Sequence, residues 1–464
     1  MLRFLAGCMV YVMLVLSVVI SGASANHDGV NTDPVTVNSR ALVFGNTSLF
    51  HGALEYFRQR GKLDVAASMI VALRFRRDAE DEISAALQAL TQHNATSWFE
   101  WMEWQQNHPE VKPHKSYLSL KLDVLSQVDP RYRVFFRTGW NRPADMRIRL
   151  EEIVWGGPRA MTGIPALDHP PMISAADAEY MLDDDLVFGI EINGDVRAYP
   201  LRIMGWHEMF NDVIGGVPVA LAYCTLCGSG ILFETKRGDH SQPFVFGSSG
   251  MLYRSNKLMF DWETYSLWNQ FTGEPVAGPL AKSGIRLKTR PVVIMSWQDW
   301  RAAHPGSRIL SLETGFRRDY ASGAVYRDYF ASPDLMFPVS VRDSESFRKK
   351  DYVFGIRDVG VAKAWPLSAF AKHQVINDRI GQRNIVLIGD ARTRTVRAFE
   401  RNQVEFEALS LSDLISRTGE SWKITEANLV GPKGRKLPRV AGVLSYWFAW
   451  DGYMGLRSEY YDAK

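Results

Sequence analysis

One stretch of this chain is written twice. Residues 187–215 read VFGIEINGDVRAYPLRIMGWHEMFNDVIG, and residues 353–381 read VFGIRDVGVAKAWPLSAFAKHQVINDRIG, without a gap and at a constant shift of 166. Thirteen of the 29 positions are identical, among them Ala198 with Ala364, Pro200 with Pro366, His207 with His373, and Asn211-Asp212 with Asn377-Asp378. The same shift pairs Ile173-Ser174 with Val339-Ser340. Self-similarity at a fixed period is the mark of a repeated structural unit. It predicts two tandem copies of one module that share an interface.

The text around the repeat has two textures. Between about 50 and 125, apolar residues recur at helical spacing: Val65, Met69 and Leu73, then Ile83, Leu87 and Leu90. Each such run puts one apolar stripe on a helix, and short helices with single stripes must pack on one another. Trp98, Trp101 and Trp104 share a face and read as core. From about residue 155, Gly and Pro become frequent and short β-branched or aromatic runs appear. Residues 217–223, 231–235, 291–296, 384–388 and 395–399 read as strands. The expected class is α+β: an N-terminal α-helical, HEAT-like domain followed by a mainly β module present as two tandem copies. The expected divisions are a signal peptide at 1–25, a helical domain at 26–154, a first β-rich copy at 155–330 and a second, degenerate copy at 331–464.

The start of the chain sets the compartment. Arg3 precedes an uncharged, apolar run from Phe4 to Ile20, and Ala23-Ser24-Ala25 fits a small-residue cleavage pattern. This predicts export to the periplasm or beyond. Leu5-Ala6-Gly7-Cys8 imitates a lipoprotein cleavage box but lies before most of the apolar run. No second run reaches the roughly 20 apolar residues of a membrane span. The net charge of +3 over 464 residues, with both signs interspersed, provides no electrostatic footprint for nucleic acid. The sequence names no partner.

Once the signal is removed, Cys224 and Cys227 are the only thiols left. In an oxidising compartment they can be a disulfide, a metal clip or a redox couple. They stand in Tyr223-Cys224-Thr225-Leu226-Cys227-Gly228, between two expected strands, where Gly228 and Gly230 allow positive φ. A redox pair of the thioredoxin kind opens a helix instead. A Cys-x-x-Cys-Gly turn resembles the knuckle that grips a soft metal, and zinc normally needs two further ligands. Copper(I) or a three-ligand zinc centre would suit two thiolates completed by His207. Glu208, Met251 and Asp261 are candidate supporting residues. Haem attachment requires a His after the second Cys, where Gly228 stands. No nucleotide-binding fingerprint occurs. In the second copy Asp390 and Thr393 replace the thiols, while His373 remains and Gln374 replaces Glu208.

Two more polar stretches carry expectations. His207 to Gly215 reads as a helix end entering a turn in which Asn211-Asp212 satisfies backbone groups. Gly247-Ser248-Ser249-Gly250 resembles an anion-binding turn, and Asp261, Thr264, Ser266 and Gln270 read as a buried hydrogen-bond network among aromatics.

These same motifs resemble one known family. Ala198-Tyr199-Pro200-Leu201, His207-Glu208, Asn211 to Gly216, Tyr223 to Gly228, Ser249 to Tyr253 and Asp261 to Gln270 are similar to the bacterial family catalogued as domain of unknown function 3179, over about residues 155–450. That family usually has Pro inside the Cys-x-x-Cys, where this chain has Thr225. The resemblance implies a bacterial, often exported protein and brings no reaction with it. The expected function is an exported protein with a copper or zinc site at Cys224 and Cys227, in metal-dependent redox chemistry or metal handling. A thiol–disulfide oxidoreductase and a non-catalytic binding module with a structural disulfide are the alternatives.

Overall fold

The computed structural model describes residues 33–138, 142–236, 242–342, 346–358, 360–410 and 413–462. The expected signal peptide, residues 1–25, lies outside them. Helical spacing turns into helices at Pro34–Phe44, Thr47–Arg60, Ala66–Phe75, Glu80–Thr91, Trp98–Asn107 and Tyr117–Val128. Ser97 opens the fifth of these with a capping box, its hydroxyl accepting from the Glu100 amide while Glu100 reaches back. Val65, Met69, Leu73, Ile83 and Leu87 are buried, as are Trp101 and Trp104, so the tryptophan face is core.

The β region begins with the strand Ile153–Trp155 and keeps a strict rhythm. Strands Leu186–Ile192, Asp195–Pro200, Met209–Ile214, Val217–Cys224 and Ser229–Glu234 are followed by Tyr352–Asp358, Val361–Pro366, Val375–Ile380, Arg383–Asp390 and Thr395–Glu400. Each of the second set starts and ends 166 residues after its counterpart, for example 224 + 166 = 390. In each set the first two strands pair antiparallel, a short helix follows (Leu201–His207 or Ala369–Lys372), and the other three form an antiparallel meander. The second meander is extended by hairpins into an eight-stranded sheet.

The same side-chain devices serve both sets. Trp300 packs over Gly189, and Trp450 over Gly355. The indole N–H of Trp300 donates to Ser307 Oγ at 2.9 Å, and that of Trp450 to Ser458 Oγ at 2.7 Å. The Asn211 side chain grips both backbone groups of Phe246, and Asn377 does the same to Phe406. Asp212 accepts from Arg197 and Tyr199; Asp378 accepts from Lys363 and Trp365. A short polar side chain that replaces two missing ladder partners keeps buried backbone groups satisfied.

The two modules meet face to face. Ser229–Glu234 of the first lies against Val443–Tyr446 of the second, and Val293–Ser296 of the first against Thr395–Glu400 of the second. One apolar cluster draws on both, with Phe188, Tyr223 and Leu232 beside Phe354, Trp365 and Leu444.

Three expectations are corrected. Asn211-Asp212 lies inside a strand: Asn211 satisfies the backbone of Phe246 in a neighbouring strand rather than a turn's, and Asp212 accepts from the Arg197 and Tyr199 side chains. Gly247 to Gly250 lies in the strand Phe246–Tyr253, which is buried and bulged between Ser248 and Met251. Gly230 does not use positive φ; it is small because a Cβ there would meet the Phe188 ring at 2.3 Å.

A Cβ at Gly189 would stand 2.2 Å from Trp300, and one at Gly355 2.1 Å from Trp450. Gly189→Ala and Gly355→Ala are each expected to lower stability by about 1–3 kcal/mol through overpacking, read as the urea midpoint at unchanged slope. An unchanged midpoint in both would contradict this packing.

Candidate functional site

The thiol turn is made by local rules. Val217–Cys224 runs out at Cys224, Thr225–Cys227 forms one 3-10 turn, and Gly228 sits at φ 60°, ψ 24° before Ser229 starts the return strand. That left-handed position is cheap for glycine. The second module keeps the same turn with Arg394 at φ 58° in the corresponding place. Polar side chains fill it, Asp390 accepting from the Arg392 amide and Thr393 donating to Thr395.

Both sulfurs are enclosed, Cys224 being 2% and Cys227 0% exposed. They are free thiols, with Sγ atoms 2.8 Å apart. Cys227 Sγ accepts from the Cys224 thiol and from the Asn256 amide at 3.1 Å, and its own S–H points to the Ser255 carbonyl at 3.5 Å. Asn256 is held in turn: its other N–H donates to Gln270 Oε1 at 3.0 Å, and the Gln270 amide donates to the Ala222 and Ser229 carbonyls. Burial pushes the Cys227 thiol well above the usual thiol range, with the neighbouring Cys224 adding to the shift.

A buried ion pair stands beside the turn. Glu208 caps the short helix in a left-handed conformation. Its carboxylate accepts from the Thr225 hydroxyl at 3.0 Å and pairs with Lys257 at 3.3 Å, while Lys257 also donates to the Glu208 carbonyl at 2.9 Å. Lys257 is 2% exposed, and burial pulls its ammonium below the ordinary lysine range. Tyrosines close the rest. Tyr329 donates to the Leu226 carbonyl at 2.7 Å, and the ring of Tyr352 comes within 3.0 Å of where a Cβ on Gly228 would be. Tyr352 faces Tyr446 at 4.5 Å and receives Arg394 on its hydroxyl.

The structure divides the residues expected here. Cys224, Cys227 and Glu208 come together. His207 does not join them, because Nδ1 meets the Pro165 carbonyl at 2.9 Å and Nε2 the Tyr320 hydroxyl at 2.6 Å. Among the described residues no group of three His, Cys, Asp or Glu side chains is placed to hold a metal ion. Met251 packs in a separate core with Tyr132 and Phe260. Asp261 is occupied by Thr264 and by the Trp268 indole, which, with Ser266, is the buried network expected in that segment. Gln270 belongs to the thiol pocket instead. Lys257 and Asn256 were missed. Their signal was a lysine and an amide inside an otherwise apolar strand, Asn256–Asp261.

A family model described as "Protein of unknown function (DUF3179)" matches residues 161–456. No curated protein and no solved structure matches this chain.

Glu208→Ala leaves the Lys257 ammonium buried without its counter-ion, which is expected to cost about 3–5 kcal/mol, read by urea unfolding. In the native protein the two thiols are expected to react with iodoacetamide about 100-fold more slowly than a free cysteine, and fully after denaturation. Rapid native alkylation would contradict an enclosed, protonated pair.

Proposed function

The chain belongs to the DUF3179 family, whose description states no activity, and we propose that it is an exported thiol redox protein in which Cys224 and Cys227 interconvert between dithiol and disulfide. The observation that carries this reading is the placement of two free thiols in direct contact across a three-residue turn. Oxidation by a disulfide such as glutathione disulfide forms the Cys224–Cys227 bond, breaks the oxidant's S–S bond and delivers two thiols to it. Exchange of this kind needs one sulfur as thiolate. Burial keeps the Cys227 thiol protonated at rest, and the Asn256 amide that donates to its Sγ opposes this, so Cys227 becomes the thiolate when the turn opens to a reactant. Both sulfurs are buried, so a small disulfide or a partner that opens the turn is the fitting reactant, not a large folded one docking on a rigid surface.

The leader at residues 1–25 belongs to the same proposal, since a disulfide persists in the periplasm or outside the cell. So does duplication. Coincident strand bounds, paired Trp-over-Gly contacts and paired asparagine braces support two copies of one unit, the second without thiols. The packing of successive short N-terminal helices, Pro34–Phe44 on Thr47–Arg60 and Ala66–Phe75 on Glu80–Thr91, supports a HEAT-like first domain.

A second reading keeps the soft metal, copper or zinc. The Asn256 N–H on Cys227 Sγ favours a thiolate, which is the form that binds metal. Its geometric demand is larger. Two thiolates on one tetrahedral zinc, each about 2.3 Å from it, stand about 3.8 Å apart, so the sulfurs would have to spread from 2.8 Å.

The deciding experiment equilibrates the folded protein in glutathione buffers of graded potential and counts thiols by mass, with metal content measured on the same sample. The expected outcome is a single two-electron transition without unfolding, absent from the Cys224→Ser, Cys227→Ser variant. Thiols that oxidise only on denaturation would sink the redox reading. Near-stoichiometric copper or zinc in the parent alone would establish the metal reading in its place.

A further inference from the structure

The segment joining the modules contains a second built site, which shares no residue with the thiol pocket. It is pinned by buried and half-buried side chains. The Tyr320 hydroxyl lies between His207 Nε2 and Thr314 Oγ1, each at 2.6 Å. The Tyr320 carbonyl accepts from Arg202 at 2.5 Å, and Arg202 is itself neutralised by Asp185. The Asp319 carbonyl accepts from the Trp206 indole at 2.7 Å. A loop fastened at this many points is rigid before any ligand arrives, and preorganisation of that kind is what a binding site needs.

What the pinned loop displays is unusual. It borders a wide, open groove of about 800 Å3, a volume that admits a small molecule while leaving one side in water. Phe316 and Leu312 stand at its edge, 41% and 39% exposed. Arg317 and Arg318 line it, both exposed, and neither has a carboxylate partner among the described residues. Arg318 lies over the Trp206 ring, which orients its guanidinium without neutralising it. The one acid of the lining, Asp319, is turned to the Ala321 amide. The groove therefore combines two guanidiniums that form no ion pair among the described residues with apolar surface on a fixed frame.

We propose that this groove binds a small organic carboxylate with an apolar body, its head held by Arg317 and Arg318 and its body laid on Phe316 and Leu312. A planar guanidinium matches a carboxylate through paired N–H donors. The apolar body covers side chains that are otherwise left in water. The site does not depend on the redox state or the chemistry of the thiols. His207 acts here as a positioning residue, because its ring holds the Tyr320 hydroxyl from inside the protein.

The test titrates the full chain with 2-naphthoate and, separately, with its uncharged counterpart 2-naphthylmethanol, following intrinsic fluorescence. Saturable binding of naphthoate is expected, weakened about tenfold in the Arg317→Gln, Arg318→Gln double variant and weakened also in Phe316→Ala. These side chains are exposed, so the variants are expected to keep the parent's thermal midpoint, which is measured alongside. Absence of saturable naphthoate binding would overturn the proposal. Equal affinity for the alcohol, or unchanged naphthoate binding in the double arginine variant, would overturn it as well.

Discussion

The interface between the two β modules is the constraint on which the rest depends. One buried cluster spans both modules: Phe188, Tyr223 and Leu232 of one lie in it with Phe354, Trp365 and Leu444 of the other. Apolar surface of that extent has to leave water, and each module is the nearest partner for the other. Closing that interface also places Tyr352 over Gly228, and so covers the thiol turn. The module without thiols thus supplies a wall for the site of the module that has them. Ser255, Asn256 and Tyr329 of the first module cover the turn from its own side, and domain pairing completes the enclosure with Tyr352.

Enclosure has an electrostatic cost that the pocket answers with specific partners. A buried ammonium and carboxylate are each expensive alone, and the pair offsets this only with good geometry and further hydrogen bonds. Lys257 and Glu208 meet both conditions, with the Lys257 amine on a carbonyl as well and Glu208 holding the Thr225 hydroxyl. The same carboxylate therefore ties a helix end, a strand lysine and the thiol turn into one unit. Gln270, bonded to two strand carbonyls, orders Asn256, which orders Cys227. Such a chain fixes where the sulfur's donors lie while keeping the neutral thiol the favoured state at rest.

Much of this was legible from residue order. Strand patterning located the fourth and fifth strands of each set, at 217–223 and 231–235 and at 384–388 and 395–399, while the first three became legible as strands only in the structure, whose bounds follow the 166-residue shift of the repeat. Helix spacing located the N-terminal helices, and Gly228 was readable as a turn residue. Asn211 was recognisable as a backbone-satisfying residue but assigned to a turn, since sequence does not say whose backbone it satisfies; the answer, Phe246, is 35 positions away. His207 shows the same limit. Four residues before Asn211 and near two cysteines in the text, it faces Pro165 and Tyr320 in space. Its retention as His373 in the copy without thiols already pointed toward a structural duty.

The sequence by itself determined the α+β class, the run of residues that recurs at a shift of 166, the strand–turn–strand that carries Cys224 and Cys227, and the family. Those depend on local periodicity, on backbone freedom at single positions and on repetition, all of which are written along the chain. Only the tertiary structure decided which polar groups surround the sulfurs. Asn256 and Lys257 of one strand, Tyr329 and Tyr352 come from three separate segments, and they meet because strands pair and modules dock. Contacts of that kind are fixed by the burial of apolar faces, which brings distant residues together without leaving a mark on their spacing in sequence.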